Sequence, residues 1–199
     1  ATSPACQRVN TSSDYNTNGF KHYLKFNGTN SWMQTASIDF TSTDKITIGV
    51  GLRKLSDSVG VALELSSNLN TNSGSFYVVG AETTAPNGDF SFKGRGSVSG
   101  AAPLLSGTMP APTTRVIVAL NDISARQATL RVNAAQKATS TENQGTGNMG
   151  NYPLYLGCRG GSQVFFNGYF YSLVIKSALS TAEEITSLEN YVNSKTGAY

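Results

Sequence analysis

Strict two-residue alternation, repeated along most of the chain, is the feature that most limits what this sequence can fold into. In "KITIGVGLRKL" Ile46, Ile48, Val50 and Leu52 fall on one face, while Thr47, Gly49, Gly51 and Arg53 fall on the other. Successive side chains of an extended strand point to opposite sides, so this spacing makes a half-buried β-strand. "VGVALELS" repeats it, with Val61, Leu63 and Leu65 inward and Ala62, Glu64 and Ser66 outward. "SFYVVGA", "DFSFKGRG", "RVIVALND", "ATLRVN" and "YPLYLG" continue at the spacing of a sandwich or barrel. "SSNLNTNSG" and "TSTENQGTGNMGN" read as turns between strands, and residues 97–113 as a longer Pro-containing connection. "YLKF" and "SWMQT" flank "NGTN", whose Asn-Gly pair predicts a tight hairpin.

The period changes once, at the end. "FYSLVIKSA" alternates as a strand, and Ser180 to Glu183 then read as a capping box. In it the Ser180 side chain accepts from the third helical amide while Glu183 reaches back. Ile185, Leu188 and Val192 recur at three and four, an apolar stripe for docking on the strands, and Gly197 is placed to end the helix. The fold class is therefore all-β, an antiparallel β-sandwich with a short C-terminal α-helix. Residues 1–20 are polar and aperiodic and read as an arm or linker. Residues 21–199 read as one domain, a length that all-β domains routinely reach as a single unit.

Charge and reactive groups narrow the functions. The net charge of +3 is small and the fifteen basic residues form no block of four, which argues against nucleic acid. No run approaches the ~18 apolar residues of a membrane span, so membrane insertion is not expected. A single histidine, His22, rules out any site that needs two; it reads as a strand-edge residue rather than a base. Cys6 and Cys158 read as two unpaired thiols in preference to a disulfide pinning the arm. "GTGNMG" formally matches a dinucleotide fingerprint but leads into a Pro-containing strand instead of a helix, so it reads as a flexible loop.

Two stretches carry a family resemblance. "YLKFNGTNSWMQT" resembles the opening strand pair of the concanavalin A-like lectin/glucanase superfamily, in its laminin-G-like branch. "FNGYFYSLVIKSALSTAEEITSLENYV" resembles that branch's closing strand and short helix. The resemblance spans residues 23–195 in element order, with motif-level similarity confined to the two ends. It implies a concanavalin A-like jelly roll whose last strand pairs beside the first and whose helix covers one end of the sandwich. Charged residues are only 14% of the chain, against the ~25% usual for soluble domains. That low charge and the Ser/Thr/Asn/Gly-rich turns resemble laminin-G-like domains of bacteriophage tail fibres and other virion proteins. The resemblance thus implies a virion, extracellular or cell-surface setting.

Glucanases of this superfamily carry alternating acidic residues on one strand, because two carboxylates must flank one glycosidic bond from the same face. This chain has no such strand. Glu64 stands between alanine and serine, and Glu183, Glu184 and Glu189 belong to the terminal helix, so no catalytic residue is predicted. The resemblance also brings calcium into view, but Asp44, Asp57, Asp89 and Asp122 are isolated and read as turn residues; no metal or other cofactor is assigned. Glycan sites combine an aromatic plate with polar groups. The outward positions Arg53, Glu64, Tyr77, Lys93 and Arg95 are the candidate glycan-binding residues, with room left by Gly49, Gly51 and Ala62 if their strands are neighbours. Trp32 reads as core, and Tyr152, Tyr155, Phe165 and Phe166 as a second rim more often used for packing. A noncatalytic glycan-binding module is the favoured function. A structural or protein-interaction domain of a larger fibre or virion, and a hydrolase with an unfamiliar site, stand behind it.

Overall fold

In the computed structural model, which describes residues 7–9, 21–82, 88–98 and 101–199, the alternating segments pair into two antiparallel sheets. In chain order the strands are β1 (Gln7–Val9), β2 (Tyr23–Asn27), β3 (Met33–Asp39), β4 (Lys45–Lys54), β5 (Gly60–Leu65), β6 (Ser75–Ala81) and β7 (Ser91–Arg95). There follow β8 (Leu104–Leu105), β9 (Thr113–Asp122), β10 (Gln127–Val132), β11 (Ala135–Ser140), β12 (Asn151–Leu156), β13 (Asn167–Lys176) and the helix α1 (Ala182–Thr196). One sheet runs β1-β2-β13-β4-β9-β10-β11 and the other β3-β12-β5-β6-β7-β8. The last strand does lie beside the first strand of the domain, with Tyr169 opposite Lys25.

The inward faces meet in one core. Ile46, Ile48, Val50 and Leu52 of β4 and Ile117 and Ala119 of β9 join Leu63, Leu65, Phe76, Val78 and Phe92 from the other sheet. Phe26, Phe90 and Phe166 fill between them without solvent exposure. Each such side chain contributes roughly 1.5–3 kcal/mol by leaving water.

The Asn-Gly signal does not make a hairpin. β2 and β3 belong to different sheets, and the Asn27 side chain accepts from the amides of Thr29, Asn30 and Ser31 at 3.0–3.1 Å, building a longer loop between layers. A second correction concerns β5. Register shifts flank Val61, since an extra residue in one strand reverses the alternation locally. Val61 therefore faces outward with Tyr77 and Val79, while Ala62 joins the core. β8 lies inside the stretch read as a connection. β11 was missed as well: Asn133 and Ala134, both at positive φ, turn β10 into it without a glycine.

The helix packs on the outer face of the seven-stranded sheet, not on an end of the sandwich. Val192, Ile185 and Leu188 cover Val116, Val118 and Leu120. Gly49 and Gly51 exist for this docking, because a Cβ at either would run into Leu188 or Thr196; they leave no room for a ligand. The cap is one residue later than the sequence suggests. Thr181 accepts from the Glu184 amide at 3.3 Å and Glu184 accepts from the Thr181 amide at 2.9 Å. Ser180 instead donates its amide to Thr47 on β4, which ties strand exit to sheet. Gly197 closes the helix in the left-handed region, as expected. Cys158 is a buried free thiol, whereas Cys6 lies outside the described residues. Of the arm at 1–20, Gln7–Val9 is described, as an edge strand beside β2; its other residues lie outside the described ones.

Candidate functional site

The strand register assembles most of the candidate residues into one row. Tyr155 of β12 faces Glu64 of β5, Glu64 faces Tyr77 of β6, and Tyr77 faces Lys93 of β7. Arg95, two positions from Lys93, shares that outer face of the six-stranded sheet. Arg53 does not. It sits on β4 in the other sheet, because the chain crosses between layers after Lys54. Lys54 is itself fully buried and fastens that crossing through an ion pair to Asp57 at 2.9 Å.

Two loops fold over the row. Leu69 from the segment after β5 and Val164 from the segment before β13 pack on Val61, Tyr77 and Val79. Glu64 holds both loops at once: one carboxylate oxygen accepts the Leu69 amide at 2.5 Å and the other accepts Arg159 Nε at 2.9 Å. Burial raises the Glu64 pKa above the usual carboxylate value, and the Arg159 charge and Leu69 amide oppose that rise. Arg95 clamps the same loop from the other side, donating to the Leu69 carbonyl at 2.6 Å. Glu64 and Arg95 thus act as posts under the surface, with no or little exposure.

Arg159 is the residue that sequence reasoning missed. Its guanidinium lies 5.7 Å from the Tyr77 ring centre, and its side chain keeps 18% exposure. A short loop holds it in place: Arg159 and Gln163 form a β-bridge, and Gly160 and Gly161 adopt positive φ where a Cβ would press on Ser67 or Trp32. The signal available was "CRGGSQ", a cation followed by the two glycines of a tight return. Tyr77 donates to Glu82 at 3.2 Å, and Ser91 donates to the same oxygen at 2.9 Å. Burial pushes the Tyr77 phenol well above its ordinary pKa, with the Glu82 charge adding to it. Burial lowers the half-buried Lys93 ammonium. Between these groups lies a hollow of about 290 Å³, lined by Asn70, Tyr77, Glu82, Pro103, Arg159 and Val164 among others.

Trp32 is half-buried beside Tyr155, with ring centres 6.1 Å apart, and is outside the main core. Tyr152 packs against the core and Phe166 belongs to it, so the second rim divides between packing and surface. The aspartates are less isolated than their spacing suggests: Asp44 and Asp122 both pair with Lys45, at 2.9 and 3.3 Å. Among the described residues no three His, Cys, Asp or Glu converge as a metal site would require. The "GTGNMG" loop is tied to the end of β7, with Gly96 donating to the Gln144 carbonyl at 2.9 Å and Ser97 to that of Thr146 at 3.0 Å.

No protein-family model matches the chain, and no curated protein matches it in sequence. Solved structures do. A native heptameric SAP-like pentraxin from Limulus polyphemus superposes with a TM-score of 0.66 at 10% identity, over 87% of this chain and 83% of that one. Domain 4 of AbnA, an extracellular arabinanase from Geobacillus stearothermophilus in complex with arabinotriose, gives 0.61 at 12% identity, over 84% and 76%. The Ruminococcus gnavus IT-sialidase CBM40 bound to α2,3-sialyllactose gives 0.55 at 14% identity, over 79% and 97%. The shared architecture is the concanavalin A-like jelly roll.

Proposed function

We propose that this domain is a noncatalytic glycan-binding module that takes an acidic glycan in the hollow over β5 and β6. The observation that carries this reading is Arg159, oriented by the buried Glu64, set against the Tyr77 ring and left partly open to the hollow. A guanidinium recognises a sugar carboxylate through paired hydrogen bonds, and Lys93, opposite Tyr77 in the strand register, adds positive charge beside the hollow. Glu64 is fully buried and ion-paired, so it is not available as a nucleophile or acid. Of similar architecture, the CBM40 is named with sialyllactose and the AbnA domain with arabinotriose, which supports a sugar ligand. The setting that fits is an extracellular or virion surface such as a tail fibre.

Titration calorimetry with acidic and neutral oligosaccharides tests this. Acidic glycans bind preferentially, binding weakens as salt rises, and Arg159→Gln lowers affinity at least about tenfold, or ~1.4 kcal/mol. Equal binding of neutral and acidic sugars, or an unaffected Arg159→Gln, overturns the reading; release of reducing sugar overturns its noncatalytic part. A second reading, an assembly domain, draws on β3. This edge strand is exposed along almost its whole length, and an open edge can accept a strand from a partner.

A further inference from the structure

The residue that the first groove leaves out, Arg53, sits in a second cleft on the opposite side of the sandwich. There the register builds another row: Lys25 of β2 faces Tyr169 of β13, Tyr169 faces Arg53 of β4, and Arg53 faces Thr114 of β9. The Tyr23 and Tyr169 rings stack with centres 4.1 Å apart, and Tyr171 meets Tyr23 edge-on at 5.7 Å. The C-terminal end of α1 forms the remaining wall, through Thr196 and Gly197. The cleft has a volume of about 300 Å³, at the small end for ligand sites.

Its charge is one-sided. Among the described residues Lys21 and Arg53 line it and no Asp or Glu does. Among the described residues neither cation forms an ion pair, and the Arg53 Nε is shielded from solvent without a hydrogen-bond partner. By contrast Arg131 is held by Glu189 and Arg159 by Glu64, while Arg95 and Arg115 each donate to a backbone carbonyl. A guanidinium beside three tyrosines, with no acidic partner, is arranged to receive a carboxylate on a ring. Arg53 supplies the paired donors, Lys21 a second charge, the tyrosine faces a surface for sugar C–H groups, and Thr114 a hydroxyl.

We infer that this cleft is a second binding site, for a carboxylated sugar residue, independent of the hollow at Arg159. An NMR titration of the full chain with methyl β-glucuronide, methyl β-glucoside and sodium sulfate separates it from that hollow. Glucuronide shifts the Tyr23, Tyr169 and Tyr171 ring signals saturably, and Arg53→Gln weakens this response at least tenfold. Arg159→Gln leaves the same response intact. Should Arg53→Gln fail to fold, Lys21→Gln at the rim serves instead, with a weakening of at least threefold. Absence of saturable shifts at these tyrosines, equal shifts from glucoside or from sulfate alone, or an unaltered response in the substituted protein overturns the inference.

Discussion

Glu64 has given up all contact with water, and its two hydrogen bonds explain how the protein tolerates that. Its pKa in the folded state is raised from 4.5 by burial, with Arg159 pulling it back. A raised carboxylate pKa favours the folded state below the ordinary value, and that contribution is lost as pH rises through the folded value. Removing Arg159 raises the pKa further and enlarges the loss. Arg159→Gln is therefore expected to cost about 2–3 kcal/mol near pH 8, after allowance for the partial exposure of the arginine. The deficit shrinks below about 1 kcal/mol near pH 4, where the carboxylate is mostly protonated in both states. Urea melts at the two pH values measure this, and an equal deficit at both would count against the account. Sequence showed half of the pair. Glu64 stands out by alternation, but Arg159 lies in a loop, where no period marks which residue faces it.

Elements were legible wherever large apolar side chains recur at every second position, even where the helix or the loops bury the second face as well. That holds for β4, β5, β6, β9 and β10, whose apolar positions recur at two. It fails for β11, an edge strand that buries almost nothing and so carries no apolar repeat. Pairing was less legible than existence, since nothing local in "NGTN" reveals that its flanking strands part into different layers. The helix stripe was readable, yet its cap was misplaced by one because Ser180 and Thr181 offer the same chemistry. Thr181→Ala should cost ~1 kcal/mol and Ser180→Ala only a few tenths. Gly51→Ala, which drives a methyl into Thr196, should cost roughly 1–3 kcal/mol by lifting the helix end. Chemical denaturation of the three variants ranks them, and a Ser180 effect larger than that of Thr181 would restore the earlier frame.

At the scale of the molecule, the five residues that alternation grouped together serve two opposite surfaces. A strand pattern fixes which side of its own sheet a residue takes, but not which sheet the strand joins. Arg53 and Glu64 are both outward, on faces that look away from each other. The sandwich thus presents a guanidinium on each side, Arg159 held by a carboxylate and Arg53 not so held among the described residues.

The same cleft holds a seam. Lys21, just ahead of β2, and Gly197, just past α1, line one wall together, and a Cβ on that glycine would meet the lysine side chain at 3.8 Å. Between Lys21 and Gly197 the polypeptide therefore traces almost a closed ring. Joining Tyr199 to Lys21 through a short Gly/Ser tether and opening the segment in the exposed turn between Ala125 and Arg126 should give a permuted protein with the same circular dichroism spectrum as residues 21–199. Its thermal midpoint should lie within about 8 °C of the parent, a loss of about 1–2 kcal/mol. Such a ring can be set into a loop of another protein without separating the two ends of its host.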